Sequence, residues 1–279
     1  HLEHEEPPST VARKDCQRKK PAPPHTHTRP LIHPGEPPPR RHAMASKRLA
    51  GGSSSEGAPR RTAMLGLGDE VPNFTAKTQL GSLTMHEFIT GQWCMFFSHP
   101  ADYTPVCTTE IGMVSKLKKE FDARNCVVVG LSIDSVENHL GWIKDINETQ
   151  DTEVNFPIIA DTTGDIATKC GFKHPNASQV ADGEHTVRSV LLVDPNRRIQ
   201  LRMDYPTYVG RNFYEIIRAL DAVQLTMYHK VATPANWKAG EDVMIIPSLN
   251  SETASALFPK GFSEIKPYLR VTPAPGPDD

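Results

Sequence analysis

Beyond residue 64 the apolar positions alternate between short unbroken runs and helical repeats. Cys94-Met95-Phe96-Phe97, after Trp93, is too short for a helix and predicts a buried strand. A loop follows from Ser98 to Pro105. Cys107, Ile111, Val114, Leu117 and Phe121 then recur at spacings of four, three, three and four, the repeat of one helix face. Thr104 is placed to cap that helix, and Pro105 suits its first turn. Cys126 to Ile133 reads as a second buried strand. Asp134 and Ser135 are caps for a helix carrying Val136, Leu140, Ile143 and Ile146. Phe156 to Ala160 is a third strand, and Asp165 to Gly171 a short helix that its glycine stops.

Further on, Ser189 to Val193, the turn Asp194-Pro195-Asn196 and Ile199 to Met203 predict a β-hairpin. Asn212 to Lys230 is a long helix with Phe213, Ile216, Ile217, Leu220, Val223 and Leu225 on its apolar side. Strands alternating with helices, then a hairpin and a helix, describe an α/β sandwich with a mixed central sheet. After Lys230, prolines at 234, 247, 259 and 267 interrupt the chain. The apolar residues there, Trp237, Ile245, Ile246, Leu249, Leu257, Phe258 and Phe262, look too few for a separate core. They are expected to pack on the main domain or on a second subunit.

Composition divides the chain. Residues 1–63 hold 11 of the 25 prolines and 12 Lys or Arg against 6 Asp or Glu, and contain no Phe, Tyr or Trp. Such a segment cannot bury enough apolar surface to order itself, so 1–63 reads as a disordered extension. Its tract from Met44 to Arg61 is rich in Ser, Ala and Arg with one acidic residue, Glu56; a solvated extension is the preferred reading, and a transit peptide, with a mitochondrial location, the alternative. The expected organisation is 1–63 extension, 64–230 main domain and 231–279 C-terminal segment. A net charge of −2 over 279 residues argues against a dedicated nucleic-acid binder. No apolar run approaches the roughly 20 residues of a bilayer span, so no membrane span is expected.

Five cysteines without a C-x-x-C pair suit neither a disulfide scaffold nor a four-cysteine zinc site, and fit a reducing, cytoplasmic compartment. Cys16 lies in the extension. Cys94 and Cys126 sit inside apolar strands and read as small core residues; Cys170, before Gly171, reads as structural, with a regulatory thiol as the alternative. Cys107 differs. It lies in the first turn of a helix, where unpaired N–H groups and the helix dipole favour an anion. The dipole contributes only about 1 kcal/mol, so a reactive thiolate there also needs a nearby cation. Thr104, three residues before the thiol, offers a hydroxyl, and Pro100 and Pro105 stiffen the approach.

The run Phe97-Ser-His-Pro-Ala-Asp-Tyr-Thr-Pro-Val-Cys-Thr-Thr-Glu110, with its Pro-x-x-x-Thr-x-x-Cys core, resembles the one-cysteine class of the peroxiredoxins. Further resemblances follow in order: Leu131-Ser-Ile-Asp-Ser135 with His139 and Trp142, Phe156-Pro-Ile-Ile159, Gly210-Arg-Asn-Phe213 and Val231-Ala-Thr-Pro-Ala-Asn-Trp-Lys238. The resemblance implies a thioredoxin-like fold with a small C-terminal appendage, a homodimer, and a thiol-dependent peroxidase that needs no cofactor or metal. It implies that Cys107 is the peroxidatic nucleophile, that Thr104 holds the peroxide and that Pro100 shields the thiolate. It makes Arg188 the required cation, with Glu110 and Arg211 in the surrounding charged network and His99 a neighbour of open role. Without the resemblance, Arg188 reads as a surface charge at a strand end. No cysteine follows Cys170, so the implied partner for the oxidised sulfur is an external thiol, glutathione or a protein. Some of the class also carry a lipase-like Ser-His-Asp site. Here His86 matches the His, but Gln92 stands for the Ser, Cys94 for a glycine and Asn196 for the Asp; a near-miss elbow, Gly130-Leu-Ser132-Ile-Asp134, lies in a strand. No phospholipase activity is expected.

Three other readings remain at this level. A thiol–disulfide oxidoreductase is disfavoured by the missing C-x-x-C. A redox-sensing scaffold or holdase would use the same Cys107. Metal binding by His25, His27 and His33 is disfavoured by their loose spacing among prolines.

Overall fold

The computed structural model describes residues 64–174 and 185–276. The extension 1–63, with Cys16, its histidines and the Met44 to Arg61 tract, lies outside the described residues. The first elements are a hairpin, β1 (Thr75–Thr78) and β2 (Gly81–Thr84), and a single turn, α1 (Met85–Phe88). Then come β3 (Trp93–Ser98), α2 (Pro105–Lys116), α3 (Lys118–Asp122), β4 (Cys126–Ser132), α4 (Val136–Gln150), β5 (Ile158–Ala160) and α5 (Asp165–Lys169). The hairpin β6 (Arg188–Val193) and β7 (Ile199–Tyr205) and the helix α6 (Phe213–Tyr228) complete the main body.

The sheet runs β2-β1-β5-β4-β3-β6-β7. β3, β4 and β5 are parallel, whereas β6 runs antiparallel to β3. β3 is buried at every position, which explains its unbroken apolar run. Its side chains still alternate. Trp93, Met95 and Phe97 face a core shared with α2, α4 and α6, while Cys94 and Phe96 face a second core with Met85, Ala167 and Phe172. Helices therefore cover both sheet faces, and the expected mixed-sheet sandwich is present. Both β3 and β4 end at the same edge, where the loop from Ser98 enters the first turn of α2.

Three local expectations change. The repeat from Cys107 to Phe121 is not one helix: it breaks at Leu117 (φ −92°, ψ 4°), yet Leu117 and Phe121 keep the same buried face. Spacing reports which face is buried and not whether hydrogen bonding is continuous. Thr104 stands at the N-cap position but makes no capping bond; its hydroxyl donates to the Ala101 carbonyl at 2.9 Å. Ser135 does cap α4, accepting from Asn138 N–H, whereas Asp134 turns to Ser132 and Asp102. The hairpin β1–β2, which the apolar pattern left unmarked, is an edge pair of Thr, Ser and Lys with few inward apolar side chains.

The C-terminal segment is also more regular than expected. It forms β8 (Val231–Ala232), β9 (Val243–Ile245), α7 (Ser251–Leu257), β10 (Ser263–Lys266) and β11 (Leu269–Thr272), with a sheet order β10-β11-β9-β8. Contrary to the expectation of no separate core, Val231, Trp237, Val243, Ile245, Ala254 and Phe258 form a small buried cluster. Ala222 and Leu225 of α6 pack against it, so the helix joins the two cores.

Candidate active site

Cys107 occupies the third residue of α2 and is fully buried. Pro100 is buried on the loop before it, and Thr104 is half-buried one helical turn before the sulfur. The first-turn N–H groups of α2 point toward this end of the helix and favour negative charge there. The cation that this position needs comes from β6, the antiparallel neighbour of β3. Arg188 opens β6, and its Nη1 donates to Cys107 Sγ at 3.3 Å and to Glu110 Oε2 at 2.6 Å. Its Nε donates to the Thr207 carbonyl at 2.7 Å. Three contacts fix the guanidinium plane, and the residue is 2% exposed.

Glu110 lies three residues after Cys107, on the same side of α2. It receives Arg211 as well: Arg211 N–H and Nε reach Oε1 at 2.8 and 2.9 Å, and Nη2 reaches Oε2 at 2.6 Å. Arg211 Nη1 donates to the carbonyls of Ser98 and Ser189, tying the ends of β3 and β6 together. Its guanidinium lies between the rings of Phe97 and Phe213, 5.0 and 5.6 Å from their centroids. Burial pushes the Glu110 carboxyl upward, but the two arginines outweigh it and hold the group below the usual carboxylate range. One carboxylate between two guanidinium ions leaves a net positive charge beside the sulfur.

His99 is drawn into a different network. Its Nε2 is 2.8 Å from Asp102 Oδ1, and Asp102 Oδ2 is 2.6 Å from His139 Nδ1. Its ring lies against that of Trp142, tilted by 37° with centroids 5.1 Å apart. The structure thus brings Cys107, Arg188, Glu110 and Arg211 into one bonded cluster, sets Pro100 and Thr104 on the loop entering it, and puts His99 on the loop's opposite anchorage. Asp102, Thr207 and the Phe97–Phe213 pair were not anticipated. The run from Phe97 to Glu110 contained Asp102, but an Asp in a loop reads as solvated unless a distant histidine is known to meet it.

The remaining described thiols lie in the cores. Burial pushes Cys94 well above its ordinary value, with Cys126 adding to the effect, and raises Cys126 and Cys170 to about 12. The lipase-like positions do not assemble. His86 is held between the Val71 carbonyl and the Arg197 guanidinium, and the Gln92 amide is bonded to Asn125.

Comparison with known proteins bears on what such a cluster does. Residues 67–202 match the AhpC/TSA family, and residues 222–261 match the C-terminal domain of 1-Cys peroxiredoxin. Over 211 residues the chain is 49% identical to the 1-Cys peroxiredoxin of Dictyostelium discoideum, covering 76% of this chain and 86% of that protein. The chain belongs to the one-cysteine peroxiredoxins. This peroxiredoxin is 46% identical to peroxiredoxin-6 of Gallus gallus over 75% of its own length and 97% of the relative's. Among solved structures it resembles a cysteine-to-serine mutant of peroxiredoxin 6 from Arenicola marina (TM-score 0.70, 38% identity, 76% and 99% covered). It also resembles a yeast mitochondrial 1-Cys peroxiredoxin solved for its thiol resolving mechanism via glutathione/thioredoxin systems (TM-score 0.69, 42% identity, 75% and 100% covered). The peroxiredoxin is accordingly a thiol-dependent peroxidase with a thioredoxin-like fold, and the scaffold or holdase reading is not favoured. Among the described residues no helix is long and apolar enough to cross a membrane.

Proposed function

We propose that Cys107 is the peroxidatic cysteine of this enzyme. The observation that carries the reading is the contact of Arg188 Nη1 with its sulfur at 3.3 Å, at a helix N-terminus. Arg188 donates to the sulfur, so the sulfur serves as acceptor, the role a thiolate fills. The thiolate attacks one oxygen of a hydroperoxide; an S–O bond forms, the O–O bond breaks, and the second oxygen leaves as alkoxide or hydroxide and takes a proton. The product is Cys107 sulfenic acid and an alcohol or water. Charge spreads over both oxygens as the bond breaks, so fixed donors matter more than thiol acidity. Arg188 and the backbone N–H of Cys107 are those donors. The Thr104 hydroxyl is committed to the Ala101 carbonyl, which leaves its lone pairs to accept the peroxide O–H. Pro100 excludes water, Glu110 and Arg211 hold Arg188 in place, and His99 anchors the loop.

Recovery consumes two thiols of an external reductant. The first condenses with the sulfenic acid, releasing water and forming a mixed disulfide; the second displaces Cys107 as thiolate. Glutathione or a thiol protein is the proposed donor, supported by the yeast relative's glutathione/thioredoxin systems. We assign residues 1–63, 64–230 and 231–279 as extension, peroxidase domain and C-terminal segment of a homodimer, and place the enzyme in the cytoplasm. A mitochondrial location is the second reading. The Ser/Ala/Arg-rich tract from Met44 to Arg61 and the mitochondrial PRX1 of Saccharomyces cerevisiae, 45% identical over 215 residues, favour it. Stopped-flow peroxide reduction by wild type and Cys107→Ser tests the central assignment: loss of the fast phase is expected, and near-normal turnover in the variant would overturn it.

A further inference from the structure

The chemistry above leaves one buried charged array unused. Asp102 lies at the middle of the loop between Ser98 and Thr104. Its carboxylate is bonded by His99 Nε2 at 2.8 Å and His139 Nδ1 at 2.6 Å, and its own N–H donates to Asp134 Oδ2 at 3.0 Å. Asp134 also accepts from the Ser132 hydroxyl at 2.8 Å, and His139 Nε2 is 3.3 Å from the Ile159 carbonyl. His99 and His139 are fully buried and Asp102 is 6% exposed. Among the described residues no arginine or lysine bonds this carboxylate, unlike Glu110; its side-chain partners there are imidazoles. Burying a carboxylate is costly unless every partner is in place, so the loop's seat depends on both histidines.

His139 belongs to α4, and α4 also touches the loop at Tyr103 and the helix it enters at Thr108. Trp142 Nε1 donates to Thr108 in the first turn of α2 at 3.0 Å. The Tyr103 ring lies 6.5 Å from that of Trp142, and its hydroxyl fills the space where a side chain at Gly141 would begin. Tyr103 itself has φ +55°, a conformation that a bulky residue keeps only when its surroundings enforce it. Meanwhile Cys107 is wholly inaccessible. Peroxide is small, but a thiol reductant must bring its own sulfur into line with Cys107, which this seating of the loop forbids.

We propose that His139 is a positioning residue: acting through Asp102, it sets how readily the Ser98–Thr104 loop releases the oxidised Cys107 to the external thiol. It touches neither peroxide nor sulfur. The proposal rests on the assignment of Cys107 as peroxidatic cysteine. The prediction is a trade between two steps. Weakening the array slows peroxide attack, because Pro100 and Thr104 lose their places, and speeds the thiol step, because the sulfenic sulfur is exposed more often.

The test uses the full chain as wild type, His139→Phe, His139→Asn and Gly141→Ala. Single-turnover stopped flow measures oxidation by hydrogen peroxide; a second mixing measures reaction of the sulfenic form with glutathione, and dimedone labelling with peptide mass analysis identifies the oxidised cysteine. His139→Phe is expected to slow the peroxide step about tenfold or more and to speed the glutathione step at least about threefold. His139→Asn, whose amide N–H takes the place of Nδ1 beside Asp102, should recover part of both. Gly141→Ala adds only a methyl to a helix, so it should fold, and by displacing Tyr103 it should shift both steps the same way. Both steps falling together in the histidine variants, or neither step moving in Gly141→Ala, overturns the proposal. Dimedone on a cysteine other than Cys107 defeats the underlying assignment instead.

Discussion

Cys107 and Cys94 lie 13 positions apart, both fully buried, yet their surroundings differ in kind. Cys94 meets only core side chains, and burial drives its thiol far upward. Cys107 meets a helix N-terminus and a guanidinium. Cys94→Ser, Cys126→Ser and Cys170→Ser should therefore leave peroxide turnover within a few-fold of wild type. Each should cost about 1–3 kcal/mol, read from the urea midpoint, because a hydroxyl replaces a thiol in an apolar core. Arg188→Ala should lower the rate of peroxide attack by about 10²–10³, compared on the high-pH plateau where the thiolate is fully formed. Arg188→Lys keeps the charge but loses the planar fork and should recover less than half of that loss on a logarithmic scale. A wild-type plateau in Arg188→Ala would assign Arg188 to the charge alone. The place of Cys107 in the first turn of a helix was legible from its sequence position, whereas its role came from the resemblance. Arg188 was legible only through resemblance, because nothing in a strand-end arginine reports that a carboxylate 78 residues earlier and a carbonyl 19 residues later will bury it.

At the scale of elements, the charged cluster is a joint. Glu110 belongs to α2, Arg188 to β6, and Arg211 to the segment before α6, so three pieces of chain meet on one carboxylate. Its carboxyl titrates below the usual range when folded and near about 4.3 when unfolded, so the unfolded chain binds the additional proton. The stability this gives is complete above about pH 5 and is lost as pH falls through the folded value; Asp102, also held low, acts in the same direction. Urea unfolding between about pH 3 and 6 should show wild-type stability rising with pH, with a shallower slope in Glu110→Gln. Glu110→Ala leaves two buried guanidinium groups without their shared carboxylate and should cost about 3–5 kcal/mol. The strands β3, β4 and β6 and the helices α4 and α6 were readable because hydrophobic burial imposes their periods. The break at Leu117 and the Thr104 hydroxyl were not, since both depend on which carbonyl lies within reach. The edge hairpin β1–β2 carried too little apolar signal to register.

For the whole molecule, the family match begins at residue 67, and the first described contacts begin beside it. A chain lacking residues 1–63 should keep peroxide turnover within a few-fold, measured with the same thiol donor; a large loss would make the extension part of the working enzyme. Sedimentation at micromolar concentration should give a dimer, and a monomer would contradict the proposed assembly. The sheet order also has a meaning in time. β3 is flanked by β4, which follows it directly, and by β6, which comes from much later in the chain. Arg188 reaches the sulfur across 81 residues. At a synthesis rate of about 5–20 residues per second, Cys107 is added to the chain roughly 4–16 s before its arginine. A nascent chain in that interval carries an ordinary thiol without its cation, so the enzyme acquires its appetite for peroxide only once translation has passed the β6 hairpin.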